Sequence, residues 1–143
     1  MKEISIEDFV ALQNLVGKYQ WLVDGGDSDG WASLWTEDGI FSGGATEPFA
    51  GHEALRKVPA WVKQGWGGGL RHHAGSLYME YGSSTDEAVV HYYNLVTTWN
   101  EAPPKLFTFA VSEMRLVRRS GQWKIKSNTI TSLAPPRALG ETQ

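Results

Sequence analysis

The chain has no cysteine in its 143 residues, which excludes a disulfide framework, thiolate catalysis and thiolate-bound zinc. Basic clusters are missing too. Lys and Arg gather no more densely than Arg118-Arg119, the net charge is -3 and the pI is near 5.8, so an electrostatic footprint for nucleic acid is absent. No stretch approaches the roughly 20 apolar residues that a membrane span requires. The opening MKEISIEDF has neither the basic nor the apolar region of a secretory signal, and a cytoplasmic location is the expectation. The four histidines show no HxH, HxxxH or HExxH spacing, so no metal site is expected. The glycines of WGGGL follow no strand and precede no Gly-Lys-Ser/Thr, which excludes a phosphate loop. No cofactor is expected.

Aromatic residues, by contrast, are plentiful: seven Trp, five Tyr and five Phe in a chain long enough for one domain and too short for two. Such surface fills a core, but it also lines pockets for flat apolar ligands and favours interfaces. Residues 1–143 read as a single domain.

Residues 6–23 place Ile6, Phe9, Val10, Leu12, Leu15, Val16, Tyr19, Leu22 and Val23 mostly on one helical stripe. Ser5 suits its N-cap and Gly25-Gly26 its stop. A short helix capped by Asp27 or Ser28 is expected to end near Trp35 or Thr36, followed by short strands around 40–41 and 48–50 on either side of a GGATE turn. Residues 51–64 read as a third helix that Pro59 kinks or splits. The pattern then changes to long β segments, roughly 71–82, 86–100, 105–119 and 122–133, with short turn-like connections that predict an antiparallel meander. Alternation along 86–100 and 105–119 leaves both sheet faces semi-apolar, and a homo-oligomer, dimer or trimer, is expected. The tail 134–143 reads as extended. Helices first and long antiparallel strands second define an α+β chain, with helices on one face of a curved sheet.

The stretch YQWLVDGGDSDGWASLWTEDGIF concentrates the chemistry. An apolar-faced helix ends abruptly at Asp24, a carboxylate boxed by aromatics. Its candidate partner lies in LRHHAGS, where His72 and His73 are neighbours on a strand and point to opposite faces. A buried His held by a buried Asp is a general-base arrangement, in which the carboxylate fixes the tautomer and the free nitrogen takes a proton. Spacing alone does not bring the two together. Asp27, Asp29, Glu37 and Asp38 read as caps and turns, His73 and His91 as outward-facing or structural, and Arg115, Arg118 and Arg119 as a solvated strand face.

VDGGDSDGWASLWTEDGIF, then LRHHAGSLYMEY and finally RRSGQWKIKSNTI, in this order over roughly residues 5–133, resemble the SnoaL-like branch of the nuclear-transport-factor-2-like superfamily. That resemblance implies a cone-shaped α+β fold, with a strongly curved, mostly antiparallel sheet wrapped around three N-terminal helices and enclosing an apolar pocket. Among Asp–His enzymes of the superfamily, the chain is similar to hexachlorocyclohexane dehydrochlorinase, scytalone dehydratase and the bile-acid 7α-dehydratases. Their helix-end Asp matches Asp24, and their strand His matches His72, with an acidic residue eight positions on at Glu80. The tyrosine of the bile-acid enzymes falls on Tyr19. The arginine that follows the last-strand Trp in both the dehydrochlorinase and the bile-acid enzymes is replaced here by Asn128, after Trp123, which puts substrate and leaving group in question.

The expectation is a cofactor-independent lyase, by dehydratase- or dehydrohalogenase-type elimination or related C–C cleavage, acting on a small apolar cyclic or aromatic substrate. Its base is His72, oriented by Asp24, and Tyr19 donates a hydrogen bond or proton, helped by Asn128 or Ser112. Trp35, Trp66, Tyr78, Tyr92 and Trp99 are candidate pocket walls. An isomerase or polyketide-cyclase-type enzyme with the same dyad, and a non-catalytic binding or assembly module, are the alternatives. The expected partner is a small molecule, with neither nucleic acid nor membrane.

Overall fold

Helix α1 (Ile6–Gly25) starts where the Ser5 hydroxyl accepts the Asp8 amide at 3.2 Å, and Glu7 and Asp8 complement the dipole of its first turn. It stops where Gly26 turns left-handed (φ 73°). The Gly26 amide returns to the Val23 carbonyl and the Asp27 amide to the Leu22 carbonyl, which is the Schellman pattern. The face turned inward carries Asp8, Leu12, Val16, Tyr19, Gln20 and Val23. Ile6, Phe9 and Val10, expected on the apolar stripe, are exposed instead, because the first turn docks through Asp8.

Asp27 caps α2 (Ser28–Ala32) by accepting the Gly30 amide at 2.8 Å. This helix is shorter than expected. Ser33 Oγ donates to the Gly30 carbonyl, a local bond that competes with the helical ladder. The chain then extends into β1 (Trp35–Ser42), with Trp35 paired to Ile125 rather than ending a helix. Gly39 sits in an irregularity of that pairing, where a Cβ would lie 2.9 Å from the Trp35 ring. Strand β2 (Phe49–Ala50) pairs antiparallel with β1. The expected third helix is split into α3 (Gly51–Leu55) and α4 (Lys57–Gly65) at Arg56. Pro59 has no N–H to offer the Leu55 carbonyl, so one continuous helix would lose that bond. In the first turn of α4 no such donor is needed.

The computed structural model describes residues 3–43 and 47–133; the tip of the expected GGATE turn and the expected extended tail lie outside the described residues. Strands β3 (Leu70–Tyr81), β4 (Glu87–Thr98), β5 (Lys105–Arg119) and β6 (Gln122–Ser132) form the predicted antiparallel meander. Ser120 and Gly121, both with positive φ, make the tight turn between β5 and β6. Strand β1 adds to β6 in parallel, giving an open, mixed sheet of order β2-β1-β6-β5-β4-β3. The fold is the α+β cone expected from the sequence, with a mostly antiparallel sheet against the N-terminal helices.

Along β4, Ala88, Val90, Tyr92, Asn94 and Val96 face the helices and are buried, whereas Tyr93 and Leu95 on the other face are exposed. Strand β3 changes phase midway. Its pairing with β4 shifts between Gly75 and Tyr78, and Ser76 adopts φ 51°. Leu70, His72 and Ala74 face inward before this bulge; Leu77, Met79 and Tyr81 do so after it. Tyr78 is thereby turned to the outer face, 57% exposed and stacked on His91. Tyr19, Trp31, Trp35 and Phe41 pack ring against ring, with Tyr19–Trp31 centroids 5.2 Å apart and Trp31–Trp35 5.0 Å apart.

The start of α1 is anchored by Asp8. Its carboxylate accepts hydrogen bonds from the Tyr81 hydroxyl, from Trp123 Nε1 at 3.0 Å and from Arg118 Nη1 at 2.7 Å. Arg118 also lies over the Trp123 ring and pairs with Asp86. This arginine, expected on a solvated strand face, ties three elements together. Burial alone would raise the Asp8 pKa; the bonds from Tyr81, Trp123 and Ser5 and the Arg118 charge outweigh it and hold the pKa below the ordinary 3.8. A lowered folded-state pKa gives stability that is present above the unfolded value and is lost as pH falls through the folded one. Asp8→Ala should therefore cost about 3 kcal/mol at neutral pH, because it strands the three donors. In chemical denaturation the difference from wild type should shrink steadily below about pH 4.

Candidate active site

The last turn of α1 is an unfavourable place for a carboxylate, since it faces the negative end of the helix dipole and no basic residue occupies that turn. Asp24 is there nonetheless, and His72 compensates for it twice. Strand β3 is the sheet edge, so the amides not directed at β4 need partners. The His72 amide donates to Asp24 Oδ2 at 2.9 Å, and His72 Nδ1 lies 2.5 Å from Asp24 Oδ1. One carboxylate thus fixes both the backbone and the ring of its partner. The side chains are only 16% (His72) and 11% (Asp24) exposed. Nδ1 is the donor to an ionised carboxylate, so in the neutral ring Nε2 carries the lone pair. Nε2 has no partner among the described residues.

The pair lies in the wall of a cleft of about 800 Å³ between α1 and the edge strand. The α1 wall is a helical stripe, Gln13, Val16, Gly17, Gln20, Trp21, Asp24 and Gly25, recurring at intervals of three and four. Opposite it stand His72, Ala74 and Leu77 of β3, with Arg71, His73 and Trp99. Trp21 is 84% exposed and Trp99 57%, so two indoles meet solvent on this cleft. Most of the lining is apolar, and the reactive groups are concentrated at its Asp24–His72 end.

Deeper in, the concave face carries a contiguous buried polar layer. Tyr92 is paired with Ser112 across β4 and β5, Asn94 lies two residues along β4, and Asn128 is paired with Met114 across β5 and β6. Asn128 Nδ2 donates to the Tyr19 hydroxyl at 3.1 Å and to the Tyr92 hydroxyl at 3.3 Å. Gln20 Nε2 donates to Asn94 Oδ1 at 3.2 Å. Gln20 Oε1 and Asn128 Oδ1 are buried with no partner among the described residues, and Ser112 Oγ sits beside the Tyr92 hydroxyl without an aligned bond. Burial, reinforced by Tyr92, pushes the Tyr19 phenol well above its ordinary pKa of 10.0 despite the bond from Asn128; burial raises Tyr92 as well. Both phenols are therefore protonated at neutral pH and serve as donors.

Among the residues singled out from the sequence, Asp24 and His72 are in direct contact and Trp99 lines their cleft. Tyr19, Asn128, Ser112 and Tyr92 belong to the buried layer and do not line the cleft. Three further expected walls are elsewhere. Trp35 is core, Trp66 packs between Trp61 and Phe107, and Tyr78 is turned outward by the β3 bulge. His73 faces away from the sheet's inner side, as expected, yet reaches the cleft margin because β3 is an edge; its Nε2 meets Thr97 Oγ1. Gln20 and Trp21 were missed. Counting back one turn from Asp24 would have found Gln20, whereas nothing in the local pattern marks Trp21.

The fold is an α+β cone, and its carboxylate–imidazole pair lies in a cleft between the first helix and the sheet edge. The chain belongs to the SnoaL-like domain family, whose model matches residues 5–129. A candidate scytalone dehydratase from Novosphingobium aromaticivorans superposes with a TM-score of 0.75 at 20% identity, over 96% of this chain and 97% of that one. ActVI-ORFA from Streptomyces coelicolor gives 0.79 at 20% identity, over 87% and 97%. Rv3472 from Mycobacterium tuberculosis, a protein of unknown function, gives 0.76 at 26% identity, over 87% and 71%. No curated protein matches.

The double grip of Asp24 has a spectroscopic consequence. In protein labelled with ¹⁵N, neutral His72 should be the Nδ1–H tautomer, and Asp24→Leu should replace it with a mixture dominated by Nε2–H. A predominantly Nε2–H ring in the wild type would contradict the arrangement.

Proposed function

We propose that the protein is a cofactor-independent lyase that eliminates water or halide from a small apolar cyclic or aromatic substrate, with His72 as general base and Asp24 as its orienting carboxylate. The observation that carries this reading is the His72 ring itself. It is held at Nδ1 and left unengaged at Nε2, in the wall of a largely apolar cleft. In such surroundings an imidazole removes a proton from a carbon made acidic by a neighbouring carbonyl or aromatic system. The C–H electron pair becomes the new double bond while the β-substituent leaves with its own bonding pair. Asp24 stabilises the imidazolium that forms. A departing hydroxide takes the proton back from His72 as water, so the base is regenerated. A departing halide leaves that proton to solvent.

Tyr19 is proposed as a donor to a polar group of the substrate that reaches the buried layer. Its raised pKa keeps the proton on the phenol, and Asn128 already occupies an acceptor position on that oxygen, leaving the O–H to point elsewhere. The candidate scytalone dehydratase that shares this fold is in keeping with an enzyme of this kind. An isomerase or cyclase would use the same first step and return the proton to carbon.

The test is a screen of hydroxylated and halogenated cyclic or aromatic compounds in D₂O, following loss of water or halide and C–H exchange by NMR. Wild type, His72→Ala and Asp24→Asn are compared with their thermal melts. Loss of the base should lower turnover by about 10²–10⁴-fold in folded protein. Activity that survives both substitutions refutes the dyad, and exchange without elimination favours the isomerase reading. Tyr19→Phe should reduce turnover by about tenfold or more with little loss of stability.

A further inference from the structure

Gln20 stands between the cleft and the buried layer, and the chemistry proposed above leaves it unused. It lies four residues before Asp24 on the same stripe of α1, so the two are stacked about 6 Å apart along the helix. It lines the cleft and is 4% exposed. Its Nε2 donates to Asn94 Oδ1, while Oε1 is buried with no partner among the described residues. A buried amide oxygen without a partner is costly, and such atoms need an explanation. Val16, Gly17, Ala74 and Leu77 of the same lining carry no side-chain polar atom.

We infer that Gln20 is the specificity-determining residue of the site, and that its Oε1 accepts a hydrogen bond from a hydroxyl on a flat aromatic ligand, about one helical turn from the carbon that faces His72. The aromatic class follows from the cleft itself, where apolar side chains alternate with two exposed indoles, Trp21 and Trp99, that offer stacking faces. The hydroxyl follows from Gln20, because an oxygen held by Asn94 as an acceptor reads a donor and leaves an ether or a bare ring unrewarded. A site built to bond a hydroxyl rejects an analogue that lacks it more strongly than an apolar pocket rejects an extra methylene. The inference rests on the reading of this cleft as the substrate site, but not on which bond is broken there.

Binding decides it without turnover. The probes are 2-naphthol and 2-methoxynaphthalene, with dissociation constants measured by quenching of the tryptophan emission and checked by calorimetry. Wild type should prefer 2-naphthol by about five- to tenfold. Gln20→Leu should remove the preference, mainly by weakening 2-naphthol, and Gln20→Met, nearer in shape, should do the same. His72→Ala should keep the preference whether or not the protein proves to be a lyase, so failure of the elimination chemistry and failure of this inference are separable. No preference in the wild type, binding of neither probe, or a preference that persists in a folded Gln20 variant overturns the proposal. Should both Gln20 variants misfold, the wild-type comparison still decides, together with Asn94→Leu, which frees the Gln20 amide and should reduce the preference at least threefold.

Discussion

The hydrogen bonds from His72 to Asp24 are the constraint on which the rest of the site depends. The last turn of a helix repels a carboxylate, and the edge of a sheet leaves amides without partners. Each element supplies what the other lacks. Because one carboxylate binds both the amide and the ring of the same residue, the ring cannot rotate without leaving a buried charge short of a donor. The α1–β3 gap is held open at one end by a polar contact, and most of its lining surface is apolar. An orientation that would otherwise cost rotamer entropy on binding is fixed beforehand.

A second level of organisation separates polar groups that meet solvent from those that do not. The concave face could have been closed with aliphatic side chains, as it is at Val90, Met114 and Leu116. Instead Tyr19, Gln20, Tyr92, Asn94, Ser112 and Asn128 form a buried patch beside that core, with several of their atoms left without partners among the described residues. Burying such a layer is unfavourable unless each member is satisfied. Gln20, four residues before Asp24 on α1 and bonded to Asn94, brings this layer up to the cleft.

Much of this was legible from local pattern. The Ser5 cap, the Gly26 stop, the four long strands and the two-sided character of β4 follow from periodicity and turn chemistry, because those signals act over a few residues. The meeting of Asp24 with His72 was only a candidate, since a separation of 48 positions carries no spacing rule. Errors fell where long-range pairing overrode local propensity. Ser33 and Leu34 turn and Trp35 pairs with β6 in parallel instead of extending α2, and Asp8 is gripped by Tyr81, Arg118 and Trp123 from far along the chain. Tyr78 was misplaced because strict alternation assumes an unbroken strand, and one residue at positive φ is enough to invalidate it.

That residue, Ser76, divides β3 into two halves that answer to different demands. Below it, Met79 and Tyr81 are bound into the core and the α1 anchor; above it, His72 and Ala74 present themselves to the cleft. A strand without the bulge would couple these halves rigidly, so that turning His72 inward would turn Met79 out. With it, the chemical end of the strand can be rewritten while the folding end stays unchanged. The same scaffold can thus accept new catalytic groups at its rim without renegotiating how its interior is packed.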